Sequence, residues 1–123
     1  MALMNTSGTA LTVTFSGWER MWLKRDKVTV PLAALRRITP IRNPLREAHG
    51  TRSGIQVSGF AKVGTWGLVK GPRQLVAAYR GSPGLHILLD RAAASADFDE
   101  LVLSVDDADR LAEELSHHLG KGR

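Results

Sequence analysis

The side chains best suited to acid–base or metal chemistry are few and scattered. They are four histidines and one short acidic run: His49, His86, His117 and His118, and Asp97, Asp99 and Glu100. On a helix, the adjacent His117 and His118 would point about 100° apart, so they are poorly placed to bind one metal ion. Their spacing from Glu113 and Glu114 instead fits i, i+4 pairs on a helix surface.

No catalytic signature accompanies these residues. His86 alternates with apolar residues of a predicted strand, so we expect it to face outward. The acidic run fits a polar turn as well as it fits a cation site. The sequence has no Gly-x-Ser-x-Gly elbow, no glycine-rich phosphate loop and no cysteine. We therefore expect a protein that is not an enzyme and that has no cofactor and no metal.

Positive charge is concentrated in the first part of the chain. Residues 1–89 hold 13 basic and 3 acidic side chains, a net charge of +10, whereas residues 90–123 hold 4 basic and 9 acidic ones, a net charge of −5. A division of this size is typical of a basic face that meets an anionic partner. The alternative is a β surface that arginine keeps soluble, while acidic residues gather at the start of a helix.

The last third of the chain predicts its elements most clearly, because the hydrophobic period there changes from two to about 3.6. Leu101, Leu103 and Val105 alternate with their neighbours, which predicts a strand with one buried face. A helix is predicted from about 106 to 119, with Asp106 as its N-cap and Gly120 after its end. We expect no other long helix, so strands and turns should make up the rest.

About seven short antiparallel strands are predicted before and including that last strand. The first is expected to run from Leu11 to Leu23, with a bulge at Gly17. Trp18 and Trp22 would then share one face of this strand. At least one of them is expected to enter the core, and the alternative is an exposed recognition surface.

Turns and loops divide the remaining strands. Pro31 ends the strand at 28–30 and is expected to begin one helical turn at 32–35. A loop is predicted over 46–54, and the strand at 55–63 has a second candidate bulge at Gly59. Further strands are predicted near 75–79 and 85–89.

Three features relate the chain to a known family. They are about seven strands followed by one C-terminal helix, the segment VTVPLAALRRI at 28–38, and the segment LVLSVDDAD at 101–109 that runs into the helix. In these features the chain, from Leu11 to Leu119, resembles a bacterial pleckstrin-homology-like (PH-like) domain. The resemblance implies two nearly orthogonal antiparallel sheets in a PH-like barrel, capped by the helix. It also implies a binding scaffold rather than an enzyme.

The resemblance further implies a position for the binding site. In eukaryotic relatives, the loop between the first two strands often binds inositol phosphates through basic residues. The matching turn here is 24–27, which Asp26 interrupts, and three later arginines would join it if the flanking strands pair. The candidate binding residues are Lys24, Arg25, Lys27, Arg36, Arg37 and Arg42. They would contact an anionic lipid surface or a protein partner, and a free strand edge could bind a protein or a second copy.

Two other functions fit parts of the sequence. A nucleic-acid-binding β-barrel would account for the high isoelectric point and for tryptophan and arginine on one strand face. Against it, the basic residues are spread over several segments. The other alternative is a self-assembling structural subunit, whose ligand is another copy of the chain.

The chain is expected to form a single domain at 11–120, with a flexible lead-in at 1–10 and a frayed tail at 121–123. No apolar run approaches the ~20 residues that span a membrane, and the N-terminus does not resemble a signal peptide. Together with the lack of cysteine, these features predict a cytoplasmic protein that could lie at a membrane surface.

Overall fold

The computed structural model describes residues 3–48, 52–57, 59–67, 72–94 and 96–121. Within these ranges the chain forms nine strands, three α-helices and two 3-10 turns. The strands are β1 (Leu3–Ser7), β2 (Ala10–Thr14), β3 (Lys27–Pro31), β4 (Leu35–Ile41), β5 (Arg52–Val57), β6 (Ala61–Trp66), β7 (Gln74–Tyr79), β8 (Gly84–Leu89) and β9 (Glu100–Ser104). The helices are α1 (Gly17–Leu23), α2 (Arg91–Ala94) and α3 (Ala108–Lys121), and the 3-10 turns are Leu32–Ala34 and Pro44–Arg46.

The first three strands form the small sheet, in the order β1-β2-β3 and antiparallel throughout. β1 and β2 are joined through Gly8, whose φ of 60° suits glycine in a tight turn. The prediction of a flexible lead-in at 1–10 is wrong for Leu3–Ser7, which pairs with β2 along its whole length. The sequence of β1, Leu-Met-Asn-Thr-Ser, shows no alternation, but the hydrogen bonds to β2 satisfy backbone groups along one edge of the strand.

The other six strands form the large sheet, in the order β4-β8-β9-β7-β6-β5. All neighbouring strands are antiparallel except β7 and β9, which are parallel. The prediction of a mainly β fold with two sheets and a C-terminal helix is confirmed. The predicted seven-stranded, fully antiparallel barrel is wrong, because the described residues form nine strands in two open sheets.

Three strands were not located from the sequence. No strand was located at β1 or at β4, where only inward-facing apolar residues were expected. The third comes from the division of 55–63 into β5 and β6, because Gly59 lies in a turn with a φ of 74° and not at a bulge. The helical turn predicted after Pro31 is confirmed as the 3-10 turn Leu32–Ala34. Of the loop predicted at 46–54, residues 49–51 lie outside the described ranges, and β5 begins at Arg52.

α1 occupies the second half of the predicted first strand, so the strand predicted from Gly17 to Leu23 is wrong. Ser16 is its N-cap, and a capping box joins Ser16 to Glu19. This motif satisfies backbone donors at the helix start, which an extended strand would not need. At the other end, Lys24 takes the left-handed conformation and donates its N–H to the Arg20 carbonyl at 2.9 Å.

Both faces of the large sheet are covered at its centre. Its inner face contributes the leucines of β8 and β9 to a core that includes β2, β3 and α3. Its outer face carries a second apolar cluster beneath the segment after β4: Ala48, Trp66, Val76, Ala78 and Val102. β9 is consequently buried on both faces, although its alternation predicted one buried face. A strand between two others, covered on both sides, can tolerate apolar residues at every position.

α3 begins two residues later than predicted and ends at Lys121. The predicted cap, Asp106, lies in a turn before it, and the carbonyl of Asp107 accepts from the Leu111 N–H at 2.9 Å. Its buried stripe packs on β4, β8 and the Leu32–Ala34 turn. Of the predicted tail, Lys121 ends the helix and residues 122–123 lie outside the described ranges. No helix in the described part of the chain has the length and apolar character needed to cross a membrane.

Candidate functional site

The unusual surface of this protein lies on α1, where three of the four large apolar side chains are exposed. Glu19 and Leu23, one turn apart, face inward with 0% and 3% of their surface exposed. The other stripe of the helix holds Trp18, Met21 and Trp22, which are 39%, 67% and 36% exposed. Residues spaced three and four apart share one helix face, so these side chains form a continuous apolar strip. The strand prediction had placed at least one of these tryptophans in the core, and that prediction is wrong.

A buried carboxylate fixes the position of α1. The Ser16 backbone N–H and hydroxyl donate to Glu19 Oε1 at 2.8 and 2.9 Å, and the Tyr79 hydroxyl donates to Glu19 Oε2. Burial raises the pKa of Tyr79, and the hydrogen bond to Glu19 raises it further. The phenol is therefore protonated at neutral pH and remains a donor. Because Tyr79 ends β7, these bonds attach α1 to the large sheet.

Further exposed apolar side chains lie on the hairpin beside α1. α1 packs against β5 and β6, and the Trp18 ring meets the Tyr79 ring edge-on with centroids 5.8 Å apart. Val57 ends β5 and Phe60 lies in the turn before β6, and the two are 43% and 58% exposed. We call Trp18, Met21, Trp22, Val57 and Phe60 the aromatic patch. Of the six large hydrophobic side chains exposed in the described residues, only Leu3 lies outside it.

Basic side chains surround the aromatic patch. Arg20 and Lys24 are exposed on α1 and at its C-terminus, and the Arg80 guanidinium lies 5.4 Å from the centroid of the Phe60 ring. We call Arg20, Lys24 and Arg80 the basic rim. One member of the rim has an acidic partner, since the Asp26 carboxylate is 3.9 Å from Arg20. An exposed pair at that separation holds its partners weakly, so the rim can bind anionic groups.

The six basic residues predicted from the sequence fall into two groups. Lys24, Arg25 and Lys27 follow α1, and Lys24 alone of the six belongs to the basic rim. Arg25 donates to both carboxylate oxygens of Asp97, at 3.3 and 3.2 Å, and its guanidinium lies 5.6 Å from the centroid of the Phe98 ring. Lys27 is exposed at the start of β3. The binding role of this group stays a prediction.

The second group lies on and after β4, in the other sheet. Arg36 pairs with Asp90 at 3.1 Å, with both side chains exposed. Arg37 is exposed and stands opposite Leu88 of β8. Arg42 follows β4 and lines a shallow cavity with Pro83 and Asp109. The two groups therefore lie on different sheets and not on one hairpin, because β3 and β4 do not pair with each other.

The histidine and acidic residues lie in separate structural networks. His86 is only partly exposed, and its ring contacts Glu100 at 2.6 Å and Glu47 at 3.7 Å, so the expectation that it faces solvent is only partly met. Gln74 donates to the Glu47 carbonyl at 2.7 Å and to Glu100 Oε1 at 3.1 Å. These contacts join the segment after β4 to the outer face of the large sheet.

The other acidic residues have their own partners. Asp97 pairs with Arg25, whereas Asp99 accepts from the Arg73 backbone N–H at 2.9 Å. His49 and the side chain of His118 lie outside the described part of the chain. Among the described residues, no three His, Cys, Asp or Glu side chains are grouped in a way that could hold a metal ion.

Sequence reasoning gave an exposed surface of Trp18 and Trp22 only as the alternative and placed it on a strand, because these residues fit both a two-residue and a helical period. The signal that distinguishes them was present, since Ser16 and Glu19 form the spacing of a capping box. Comparison of the chain with protein-family models finds no match, and comparisons with curated proteins and with solved structures find none either.

Proposed function

We propose that this protein is a non-catalytic binding module that attaches to anionic membrane surfaces through α1. The observation that carries the proposal is that α1 buries Glu19 and exposes Trp18, Met21 and Trp22. A helix retained only for packing would bury its large apolar side chains. The PH-like relationship, with its nearly orthogonal sheets, is part of this proposal as a prediction from the sequence.

The chemistry of the patch favours lipid headgroups as its ligand. Tryptophan side chains are suited to the boundary between headgroups and acyl chains, where an apolar ring and a polar N–H are both accommodated. The basic rim lies beside these rings, and each cation near an anionic membrane contributes about 1 kcal/mol. Shallow insertion of apolar side chains combined with such attraction is the usual energetics of interfacial helices. A protein partner is the alternative ligand, and the experiment distinguishes it.

The experiment compares two variants that remove similarly exposed apolar side chains. Met21→Ser changes the aromatic patch, and Leu3→Ser is the matched control on β1, since the two residues are 67% and 69% exposed. Both proteins are floated with vesicles of phosphatidylcholine alone and of phosphatidylcholine mixed with phosphatidylserine. We expect wild type and Leu3→Ser to bind the acidic vesicles equally. Met21→Ser should bind ~10-fold more weakly, because an inserted methionine is lost.

Tryptophan fluorescence provides an independent measurement. Two of the three tryptophans lie in the patch, and Trp66 is already buried, so a blue shift on vesicle addition reports insertion of α1. Equal flotation with neutral and acidic vesicles, or no shift, would contradict the proposal and favour a protein partner. Binding to single-stranded DNA or RNA that persists at physiological salt, without vesicle binding, would favour the nucleic-acid alternative.

A further inference from the structure

A second surface, separate from α1, is the outer edge of β3. One side of β3 pairs with β2, and no described strand pairs with its other side. An unpaired strand edge presents backbone donors and acceptors that can bind another extended chain. Sheet edges are commonly covered by a loop or blocked by a charge or a proline, so the space beside this edge determines whether it can bind anything.

The bonds at the two ends of the ladder show which backbone groups face outward. The Phe15 N–H donates to the Asp26 carbonyl at 3.0 Å, and the Leu32 N–H donates to the Thr9 carbonyl at 2.8 Å. Bonding alternates along an antiparallel strand, so the even-numbered residues of β3 bond to β2. The backbone groups of its odd-numbered residues therefore face away from the sheet.

Two of these outward-facing residues can each offer both a donor and an acceptor. They are Lys27 and Thr29, since Pro31 has no N–H and ends the strand. Their side chains are exposed, whereas Val28 and Val30 between them are buried. A short edge of this kind can form about four hydrogen bonds with one added strand.

A groove runs beside this edge. It has a volume of about 370 Å³ and lies between β3 and the stretch of Ala94, Ala96 and Phe98. The Arg25–Asp97 ion pair also lines it. Because this wall stands opposite the edge, the space suits a single extended chain rather than the edge of another sheet.

The charges that line the groove are two cations and one anion: Arg25, Lys27 and Asp97. Asp97 neutralises Arg25 through two hydrogen bonds, so Lys27 supplies the remaining charge. We propose that this groove binds an extended peptide strand of a partner protein, which pairs with β3 and places an acidic side chain beside Lys27. The proposal is independent of membrane binding and gives the module a second ligand.

The test uses Thr29→Pro, which removes an outward-facing N–H without breaking a bond to β2. Thr29→Ser is the matched control, because it keeps the backbone donor. The probe is a phage-displayed library of random linear peptides, selected on the wild-type protein without lipid. We expect the selected peptides to contain acidic residues and to lack proline at their centres. Synthetic copies should bind Thr29→Pro ~10-fold more weakly and Thr29→Ser within ~2-fold of wild type.

Two further measurements keep the result decisive if Thr29→Pro does not fold. On wild type, hydrogen exchange at the Lys27 and Thr29 amides should slow when a selected peptide binds, while exchange at Val28 and Val30 stays unchanged. Lys27→Gln should lose the preference for acidic over neutral peptides. The proposal is wrong if no peptide is enriched, if Thr29→Pro binds as well as wild type, or if the Lys27 and Thr29 amides stay unprotected.

Two further experiments separate this site from its alternatives. Met21→Ser should bind the selected peptides as wild type does, so failure of membrane binding and failure of peptide binding are distinguishable. A concentration-dependent dimer that Thr29→Pro abolishes, measured by sedimentation equilibrium, would show that a second copy occupies the edge. That result would overturn the assignment of a peptide partner.

Discussion

The first and last helices of this protein use their two faces in opposite ways. α3 buries Ala108, Ala112 and Leu115 and exposes charged residues on its other side. α1 buries a carboxylate and exposes two indoles and a thioether. The two helices therefore contribute to the fold by different means. α3 stabilises it through apolar area, whereas α1 buries only Leu23 among its large apolar side chains, is positioned through hydrogen bonds to Glu19, and leaves the other three exposed.

The difference also separates stability from function. A substitution on the buried stripe of α3 should change folding and should change binding only through folding. A substitution on the exposed strip of α1 should change binding with little effect on folding. Each variant below tests one side of this contrast.

The largest expected effect is on α3. Leu115→Ala should lower the free energy of unfolding by about 2–5 kcal/mol, because it leaves a cavity at a side chain that is 1% exposed. Met21→Ala on α1 is the comparison and should cost less than about 1 kcal/mol, since most of Met21 is already in solvent. Urea denaturation monitored by circular dichroism measures both. Equal losses would show that α1 packs more tightly than its exposure indicates.

A second prediction concerns the bonds that hold α1. Tyr79→Phe should cost about 1–3 kcal/mol, because it removes a hydrogen bond to a charged group. In the Glu19→Gln background the same change should cost less, since the lost bond is then to a neutral group. The double-mutant cycle measures this coupling. Additive losses would mean that Glu19 and Tyr79 act independently and that α1 is held by other contacts.

The same pair predicts a loss of stability at alkaline pH. Burial and Glu19 raise the pKa of Tyr79 above its unfolded value of about 10, so its stabilisation is present below that pH and is lost as pH rises further. Tyr79 is the only tyrosine in the chain, so ultraviolet absorbance of the phenolate reports it directly. We expect it to ionise only together with unfolding. Ionisation of the folded protein near pH ~10 would contradict the buried arrangement.

A smaller effect is expected where α1 ends. Lys24 has a φ of 60°, which glycine adopts without strain, so Lys24→Gly should raise the free energy of unfolding by about 0.5–1 kcal/mol. Lys24→Gln should not. Both variants should bind phosphatidylserine vesicles ~5-fold more weakly, because each removes a cation of the basic rim. If Lys24→Gly and Lys24→Gln were equally stable, the helix would not end with residue 24 in the left-handed conformation.

The contrast between the helices also shows what could be predicted from sequence. β9 and α3 were predictable because the hydrophobic period changes from about two to about 3.6 between them. β2 was predictable because its apolar positions alternate strictly. α1 was not predictable from its period, because Trp18, Arg20 and Trp22 also fit a strand. Only the Ser16–Glu19 spacing distinguished a helix from a strand there. The candidate site depends on that helix. The wrong period left the exposed tryptophan surface as the alternative, while the basic residue Lys24 was still identified.

Other features depend on contacts between distant parts of the chain. The parallel pairing of β7 with β9 places a late strand between two earlier neighbours, and no local pattern encodes that insertion. The burial of Val76 and Val102 on the outer face depends on the segment after β4, which has no regular period. The division of the six basic residues follows from the placement of β3 and β4 in different sheets, which could not be derived from spacing.

The smallest predicted effect concerns the ion pair that links the end of α1 to the loop before β9. In this pair, Arg25 lowers the pKa of Asp97, mainly through the hydrogen bonds between the two side chains. Because the pKa of Asp97 is lower in the folded protein, the pair stabilises the fold at pH values above the unfolded pKa of about 3.9. That stabilisation is lost as the pH falls through the folded pKa. Wild type should therefore exceed Asp97→Asn in stability at neutral pH.

The difference between these proteins should shrink as pH falls from about 5 to about 2, and an Arg25→Gln background should remove its pH dependence. Thermal unfolding across this range measures it. The effect should be small, because Asp97 is largely exposed and water screens the pair. A difference that stays constant with pH would show that Arg25 and Asp97 orient the chain by shape and hydrogen bonding without a charge contribution. The groove beside β3 would then keep its wall, but its remaining charge could no longer be assigned to Lys27 alone.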